Sequence, residues 1–199
     1  EKAKESASEL ANAGIRVKSY TGDLSQERDV RLVFSRIMAD LGTIDVLINN
    51  AGVGGYLDWR TMALEEWHHF TSVNCDAAFL CTHYAAKAMA EQKKAGRIVF
   101  ILSQAAVNQD IDIVTPYGTS KWCERGLMKS AATTLAPYGI TVNGICPGTV
   151  WTPMMERFCQ EYIEAGCGNE EEYRAYIESM YPTGRIQEAD DIAATCSFL

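Results

Sequence analysis

Two side chains with complementary chemistry stand four residues apart, at Tyr117 and Lys121. Residues at this spacing share one face of a helix, so the phenol and the ammonium are predicted to lie side by side. A free phenol has a pKa of about 10, and a neighbouring positive charge stabilises its anion for proton exchange near neutral pH. Such a pair is also common on ordinary amphipathic helices, so further residues must decide between these interpretations.

Ser103 is a third candidate for the same chemistry. It follows an apolar run, rich in Ile and Val, that predicts a buried strand over 97–102. A hydroxyl at the end of a strand can hydrogen-bond a substrate oxygen and stabilise the charge that develops on it. A serine in this position is otherwise an ordinary turn residue.

Strands and helices alternate along the chain. Apolar runs predict strands at 15–20, 44–48, 97–102 and 140–146. Helical periodicity predicts helices at 2–13, 26–41, 64–95, 116–137 and from about 188 onward, with Ser25 as an N-cap. This alternation is typical of right-handed βαβ units, and it predicts an α/β protein with a parallel sheet flanked by helices.

Polar or turn-forming residues follow each predicted strand. These clusters are Thr21-Gly22-Asp23, Asn49-Asn50-Ala51-Gly52, Ser103 and Pro147-Gly148. Ligands of open α/β sheets bind beyond the carboxyl ends of the strands. One such cluster would be a turn, whereas four at the same edge indicate a binding crevice.

Composition places the chain among ordinary globular proteins. Its 199 residues are 47% hydrophobic and 22% charged, which suits a single domain spanning 1–199. The net charge of −8 argues against a nucleic-acid groove, which requires a basic face. No apolar run approaches the roughly 20 residues of a membrane span. Seven cysteines without a Cys-x-x-Cys pair indicate reduced thiols in a cytoplasmic protein, and adjacent His68 and His69 lack the further ligands of a metal site.

Taken together, these segments resemble the short-chain dehydrogenases/reductases of the classical type. The matching residues are Asn49-Asn50-Ala51-Gly52, Ser103, Tyr117-Gly118-Thr119-Ser120-Lys121 and Pro147-Gly148-Thr149-Val150-Trp151-Thr152. Their combination and spacing are highly specific, and the resemblance covers essentially the whole chain. It implies a Rossmann-type doubly wound sheet and an oxidoreductase that transfers a hydride between NAD or NADP and a small alcohol or carbonyl compound.

The resemblance implies four catalytic roles. Tyr117 would be the general acid and base, and Lys121 would favour ionisation of the phenol and bind the nicotinamide ribose. Ser103 would orient the substrate oxygen. Asn74 matches the family asparagine that holds a water between the lysine and solvent.

The resemblance also implies a set of cofactor contacts. Asp23 would contact the adenine, residues 50–52 would pass close to the adenosine ribose, and Val150 and Thr152 would fix the carboxamide. The full set is Asp23, Leu24, Asn50, Ala51, Gly52, Tyr117, Lys121, Pro147, Gly148, Val150 and Thr152. There is a physical reason for a glycine at position 52, since it has no side chain that would block the approach of a ligand.

The family pattern is incomplete in this sequence. The family's first strand with its Gly-rich phosphate loop, its second strand and its last strand are all absent. We therefore expect an incomplete sheet and weak cofactor binding by these 199 residues alone, and the preference between NAD and NADP stays open. Trp122 also departs from the family, in which a small residue commonly follows the lysine, so its indole requires room in the neighbouring packing or at a subunit contact.

Residues 151–181 occupy the place of the family's substrate lid. Trp151 and the nearby Met154, Met155 and Phe158 contact substrate or form the core of the lid. Ser103, Gln104, Tyr117 and Trp151 are the predicted substrate contacts. Gln104 would bind a second substrate hydroxyl, unless it simply faces solvent.

The sequence around Ser103-Gln104-Ala105 and over 146–154 resembles the sorbitol and acetoin/butanediol dehydrogenases, which favours a polyol, sugar or hydroxyketone substrate. A 3-oxoacyl or hydroxysteroid reductase is an alternative on the same scaffold. A catalytically silent nucleotide-binding protein is the alternative from another class. By analogy with the family, we expect a homo-oligomer, either a tetramer or a dimer, that pairs through helices 64–95 and 116–137.

Overall fold

A parallel three-stranded sheet lies at the centre of this computed structural model, which describes residues 2–55, 57–108 and 116–199. The strands are β1 (Val46–Asn49), β2 (Gly96–Ile101) and β3 (Ile140–Ile145), in the order β1-β2-β3. Asn49 pairs with Phe100, and Ile101 pairs with Ile145, so the three carboxyl ends are nearly level. Residues that follow the strands therefore meet at one edge of the sheet.

The helices surround this sheet. They are α1 (Lys2–Asn12), α2 (Glu27–Leu41), α3 (Leu64–Phe70), α4 (Ala77–Gln92), α5 (Tyr117–Leu135), α6 (Pro153–Glu164), α7 (Glu170–Ser179) and α8 (Ala189–Phe198). Short 3-10 turns at Gln104–Ala106 and Ala136–Tyr138 follow β2 and α5.

Helices α4 and α5 cover one face of the sheet. Ile98 and Phe100 of β2 point into this layer and are completely buried, as is Met89 of α4. Small side chains on α4, such as Ala85 and Ala88, allow the helix to lie close to the strands. Alternation along β2 thus fixes which face of the sheet holds the main core.

The opposite face is covered less completely. Val46 and Ile48 of the edge strand β1 point to this side and are 56% and 49% exposed. An open trough of about 970 Å³ separates this face from α8, with Phe198 among its lining residues. The continuous apolar strands had indicated helices on both faces, and here the second layer is partial.

A π-helical turn interrupts the long helix predicted over 64–95. Thr71–Asp76 form this turn between α3 and α4, and α4 ends at Gln92. Hydrophobic periodicity does not reveal one extra residue in a turn, so the sequence pattern could not separate α3 from α4.

Two local predictions near the start of the chain are wrong. Residues 15–20 form no strand, because β1 pairs only with β2 among the described strands and a strand requires a partner. Ser25 does not cap α2, since Gln26 holds the N-cap position and the Ser25 hydroxyl donates to Asp23 Oδ1 instead. The other boundaries shift by a few residues at most.

Candidate active site

The first two turns of α5 bring the predicted phenol and ammonium together. Lys121 Nζ lies 5.9 Å from the centroid of the Tyr117 ring. Tyr117 is half-buried, whereas Lys121 is only 4% exposed. Charge interactions strengthen away from water, so this ammonium can stabilise negative charge on the phenol more than an exposed lysine could.

Contacts of Lys121 place the pair at the carboxyl edge of the sheet. Its ammonium donates to the backbone oxygen of Ile101, the last residue of β2, at 3.1 Å. Ser103 follows two residues later and accepts a hydrogen bond on Oγ from the backbone N–H of Ala105, at 3.2 Å. That bond leaves the hydroxyl hydrogen of Ser103 for another acceptor.

The turn after Ser103 is tied to the same helix. Arg125 of α5 donates to the backbone oxygen of Ala106 at 2.7 Å. Its guanidinium also lies 4.9 Å from the ring of Trp122, which is 39% exposed. The indole that departs from the family pattern is thus accommodated at the surface of α5, away from the core.

Asn74 is buried completely on the π turn and connects the loop after β1 to α5. Its Oδ1 accepts from the Val53 backbone N–H at 2.8 Å, and its Nδ2 donates to the Val53 oxygen at 3.0 Å. Nδ2 also donates to Ser120 Oγ at 2.8 Å, and Ser120 Oγ donates to the Tyr117 backbone oxygen at 2.7 Å. Asn74 therefore anchors the turn that carries the phenol.

The loop after β1 approaches this anchor closely. A Cβ on Gly52 would lie 3.2 Å from Asn74 Oδ1 and 3.6 Å from Lys121 Nζ, so a larger residue would press on the Asn74 amide and touch Lys121. Asn50, Ala51 and Gly52 are exposed, and they leave an open strip of backbone beside Lys121. Asn49 is buried instead and donates from Nδ2 to Thr82 Oγ1 at 2.9 Å, so it secures the strand end.

The segment after β3 forms the opposite wall, and residues from the end of the lid hold it in place. The Gly148 N–H donates to Gln187 Oε1 at 2.9 Å, and Val150 forms an isolated parallel bridge with Gln187. The Thr149 N–H donates to the hydroxyl of Tyr181 at 2.7 Å. Pro147 is buried here, and Thr152 occupies the N-cap position of α6 without a side-chain capping bond.

Two predicted substrate contacts have partners within the protein. Gln104 Nε2 donates to Tyr181 Oη at 3.1 Å, so its amide joins the end of β2 to the lid. The Trp151 ring lies beneath the Arg174 guanidinium, 3.3 Å from its centroid, and packs against the small core of the lid. For Trp151 the structure favours lid packing over an open position in the cleft.

A family sequence model described as "short chain dehydrogenase" matches residues 1–162. A short-chain dehydrogenase/reductase of Armillaria gallica is 34% identical over 177 residues, which is 89% of this chain and 66% of that protein.

The chain belongs to the short-chain dehydrogenase family. Among solved structures, a variant of actinorhodin polyketide ketoreductase with NADPH matches with a TM-score of 0.92 and 30% identity, covering 99% of this chain and 76% of that one. Sorbitol-6-phosphate 2-dehydrogenase from Erwinia amylovora matches with a TM-score of 0.91 and 26% identity, covering 98% and 77%.

These similarities confirm the predicted family and the predicted Rossmann-type α/β fold. The three-stranded sheet and the partial coverage agree with the expectation that these residues hold only part of the family fold. Within the described ranges, no helix is long and apolar enough to span a membrane, and no group of three or more potential ligands could hold a metal ion.

Asp23, the predicted adenine contact, and Leu24, a further predicted cofactor contact, lie just before α2. Asp23 is exposed, and its Oδ1 accepts hydrogen bonds from the Ser25 hydroxyl and backbone N–H, which lower the pKa of the carboxyl. Leu24 packs against the main core. Their contacts hold the loop before α2, and their role toward a cofactor stays a prediction.

Two residues beside the site were missed by the sequence analysis. Ser120 joins Asn74 to Tyr117, and Glu124 is 1% exposed with Oε1 2.8 Å from Lys121 Nζ. Burial raises the pKa of the Glu124 carboxyl, although Lys121 acts in the opposite direction. The i,i+3 spacing of Lys121 and Glu124 was the available signal, but such pairs are usually exposed surface features.

Proposed function

We propose that this chain is the catalytic part of an NAD(P)-dependent oxidoreductase that acts on a small alcohol or carbonyl compound. The observation that carries the proposal is the buried Lys121 ammonium beside the Tyr117 ring, bonded to the carboxyl end of β2. Structural roles rarely require a buried cation next to a half-exposed phenol at the edge of a cleft. A catalytically silent nucleotide-binding protein would have no use for this arrangement.

The residues present fit a nicotinamide dinucleotide. The ammonium of Lys121 carries three hydrogens. One is donated to Ile101 O, and the Glu124 carboxylate lies beside the ammonium as an ion-pair partner, so a hydrogen stays available for a ribose hydroxyl. The exposed backbone of residues 50–52 offers an approach without bulky side chains. The bound cofactor would supply or accept the hydride, and the ketoreductase relative solved with NADPH supports this choice.

Residues of this chain would transfer the proton. During reduction, the Tyr117 hydroxyl would donate its hydrogen to the carbonyl oxygen, and the nearby ammonium would stabilise the phenolate that remains. The Ser103 hydroxyl would donate to the same oxygen and hold it in position. Asn74 and Ser120 would keep the first turn of α5 in place, and the oxidation would reverse these steps.

For the substrate, we infer a polyol, sugar or hydroxyketone. The similarity to a sorbitol-6-phosphate 2-dehydrogenase supports this class. A 3-oxoacyl-type reductase is the second candidate, since a polyketide ketoreductase fits the fold equally well. A panel of sorbitol, sugars, acetoin, 2,3-butanediol and 3-oxoacyl thioesters, assayed with both cofactors, separates them, and turnover of thioesters alone would exclude the polyol class.

A Tyr117→Phe substitution tests the catalytic assignment. Loss of general acid catalysis should lower kcat by about 10²- to 10⁴-fold while cofactor binding persists. Tyr138→Phe is the matched control, because this tyrosine is 57% exposed at the far end of α5. A Tyr117→Phe protein with unchanged turnover would show that the site is wrongly assigned.

We also infer a homo-oligomer that pairs through α4 and α5, in a reducing compartment such as the cytoplasm. An open groove of about 430 Å³ runs between these helices and includes Phe79, which is 51% exposed. All seven cysteines are unpaired, as a reducing compartment requires. Light scattering of the protein and of Phe79→Glu tests the pairing, and an unchanged mass would contradict it.

A further inference from the structure

The carboxylate of Glu124 occupies an unusual place beside the proposed catalytic lysine. It lies on the same helix, one turn beyond Lys121, with Oε1 2.8 Å from Nζ. The two side chains are 1% and 5% exposed, so this ion pair is almost completely shielded from solvent. A buried carboxylate is costly to maintain and usually reflects a specific partner or role.

The contact between the two groups is a close ion pair. Among the described residues, Glu124 Oε1 is buried without any hydrogen-bond donor. A carboxylate that only stabilised the fold would be expected to accept full hydrogen bonds. Its main interaction is therefore electrostatic, and it is directed at the Lys121 ammonium.

We propose that Glu124 is a positioning residue that holds the Lys121 ammonium at the carboxyl end of β2 and offsets part of the positive charge felt by Tyr117. This inference rests on the proposed function of Tyr117 and Lys121. The ion pair with Glu124 and the hydrogen bond to the Ile101 backbone oxygen fix Nζ between the helix and the strand. The same carboxylate weakens the attraction of the ammonium for a phenolate, so it moderates how readily Tyr117 ionises.

Other titratable groups near the pair must be considered. Cys75 on the π turn is the buried titratable group that interacts with Glu124, and Asp76 and Cys123 act on the same thiol. Burial, then Cys123, then Glu124 and Asp76 raise the pKa of the Cys75 thiol, so this thiol stays neutral near pH 7. The group of β2 that contacts the pair is the backbone oxygen of Ile101, which accepts a hydrogen bond from Lys121 Nζ. The charged groups that the structure places beside the phenol on α5 are therefore Lys121, 5.9 Å from the centroid of the Tyr117 ring, and its ion-pair partner Glu124.

The test compares Glu124→Gln with the wild-type protein. Glutamine removes the negative charge beside Lys121 and keeps the length and shape of the side chain. The measurement is an NMR titration of the ¹³Cζ resonance of Tyr117, assigned through Tyr117→Phe, together with the pH profile of alcohol oxidation. Since an opposite charge within about 4–6 Å shifts ionisation by 1–3 units, loss of the offsetting carboxylate should lower both midpoints by about 0.5–1 pH unit.

Matched variants distinguish this role from a structural one. Glu124→Asp retains the charge and should keep the wild-type midpoint, and Glu124→Met, of similar length, repeats the neutral substitution if glutamine prevents folding. Glu91→Gln removes one exposed charge about 24 Å along α4 from the π turn and should change neither midpoint. Identical midpoints in folded Glu124→Gln and wild-type proteins would overturn the proposal.

Failure of the proposed function gives a different result. If Tyr117→Phe retains full turnover, the catalytic assignment is wrong, while the titration of Tyr117 still shows whether Glu124 influences the phenol. If Tyr117→Phe is inactive but the midpoint in Glu124→Gln is unchanged, the catalytic assignment stands and the role of Glu124 is refuted.

Discussion

Where β2, α5 and the π turn form the cleft, the polar groups lie in the protein interior. Where the lid forms it, they lie closer to solvent. Asn74, Lys121 and Glu124 are 0%, 4% and 1% exposed and join α5 to the π turn and to β2. Tyr181 of the lid and its partner Gln104, at the end of β2, are only half-buried. Proton-transfer groups are thus fixed by the fold itself, whereas the substrate wall depends on a few hydrogen bonds.

The hydrophobic contacts show the same division. The main core surrounds β2 and includes Phe100, Ile98 and Met89, all completely buried. The lid and the segment just after it share a separate small core, which contains Cys159, Tyr173, Ile177 and Ile186. Segments with few buried contacts open at lower free energy than the main core. We therefore expect the lid to rearrange around different substrates without disturbing the catalytic groups.

The largest change in the free energy of unfolding should come from substitutions in the two hydrophobic cores. Ile98→Ala removes a fully buried side chain from the main core, and we expect it to lower the free energy of unfolding by about 4 kcal/mol. Ile177→Ala, in the lid, should cost about 2 kcal/mol because the exposed surroundings can relax into the space. Urea unfolding monitored by circular dichroism provides both values. Equal losses would contradict the division into a rigid side and an adaptable side.

Asn74→Ala should have the next largest effect, and it should affect both stability and turnover. The substitution removes three hydrogen bonds and leaves the half-buried Val53 N–H without its acceptor, so we expect a loss of about 2–3 kcal/mol. Ser72→Ala is the control, since its Oγ donates to the His69 oxygen one turn earlier in the same helical segment. A loss below about 0.5 kcal/mol for Asn74→Ala, as is usual for a surface change, would refute its anchoring role.

The sequence was most informative where a local pattern determines the chemistry. The four-residue spacing of Tyr117 and Lys121 places both on one helix face, and an apolar run predicts the strand that ends before Ser103. Asn74 was identified from its resemblance to the family, but its partners were not, because they lie on α5 and on the loop after β1.

The features that the sequence did not reveal depend on contacts between distant segments of the chain. Tyr181 meets Gln104 across 77 residues, and no periodicity encodes such a pair. Glu124 was missed for a different reason, since glutamates on helices normally face solvent and burial cannot be read from one residue. Residues 15–20 have the composition of a strand, yet strand formation depends on a partner elsewhere in the sheet.

Tyr181→Phe should weaken the lid alone. Its hydroxyl accepts from the Thr149 N–H and from Gln104, so its removal leaves two half-buried donors without a partner. We expect a loss of about 1–2 kcal/mol and a raised KM, with kcat nearly unchanged because the proton-transfer groups lie on the other side. Tyr176→Phe is the control, as this tyrosine is 59% exposed on α7. A large fall in kcat without a change in KM would place Tyr181 in the chemistry instead.

The smallest change in stability should come from the exposed ion pair between Arg185, which follows the lid, and Asp191 of α8. Arg185 lies 2.7 Å from Asp191, and its hydrogen bonds, with that of the Glu188 N–H, lower the pKa of the Asp191 carboxyl to about 2. Because the folded value lies below the unfolded one of about 3.9, this group stabilises the protein above about pH 4, and the contribution is lost as the pH falls toward 2.

Asp191→Asn should therefore lower Tm slightly at pH 7, and the difference from the wild-type protein should shrink as the pH decreases from about 5 toward 2. Its side chain is 36% exposed, so added salt should screen the pair and reduce the difference at every pH. Calorimetry at low and high salt measures both trends. Since the Lys121–Glu124 pair is shielded from solvent, the pH midpoints at Tyr117 should respond to salt far less than this Tm difference does. Equal salt sensitivity of the two pairs would mean that water reaches the interior of the catalytic side.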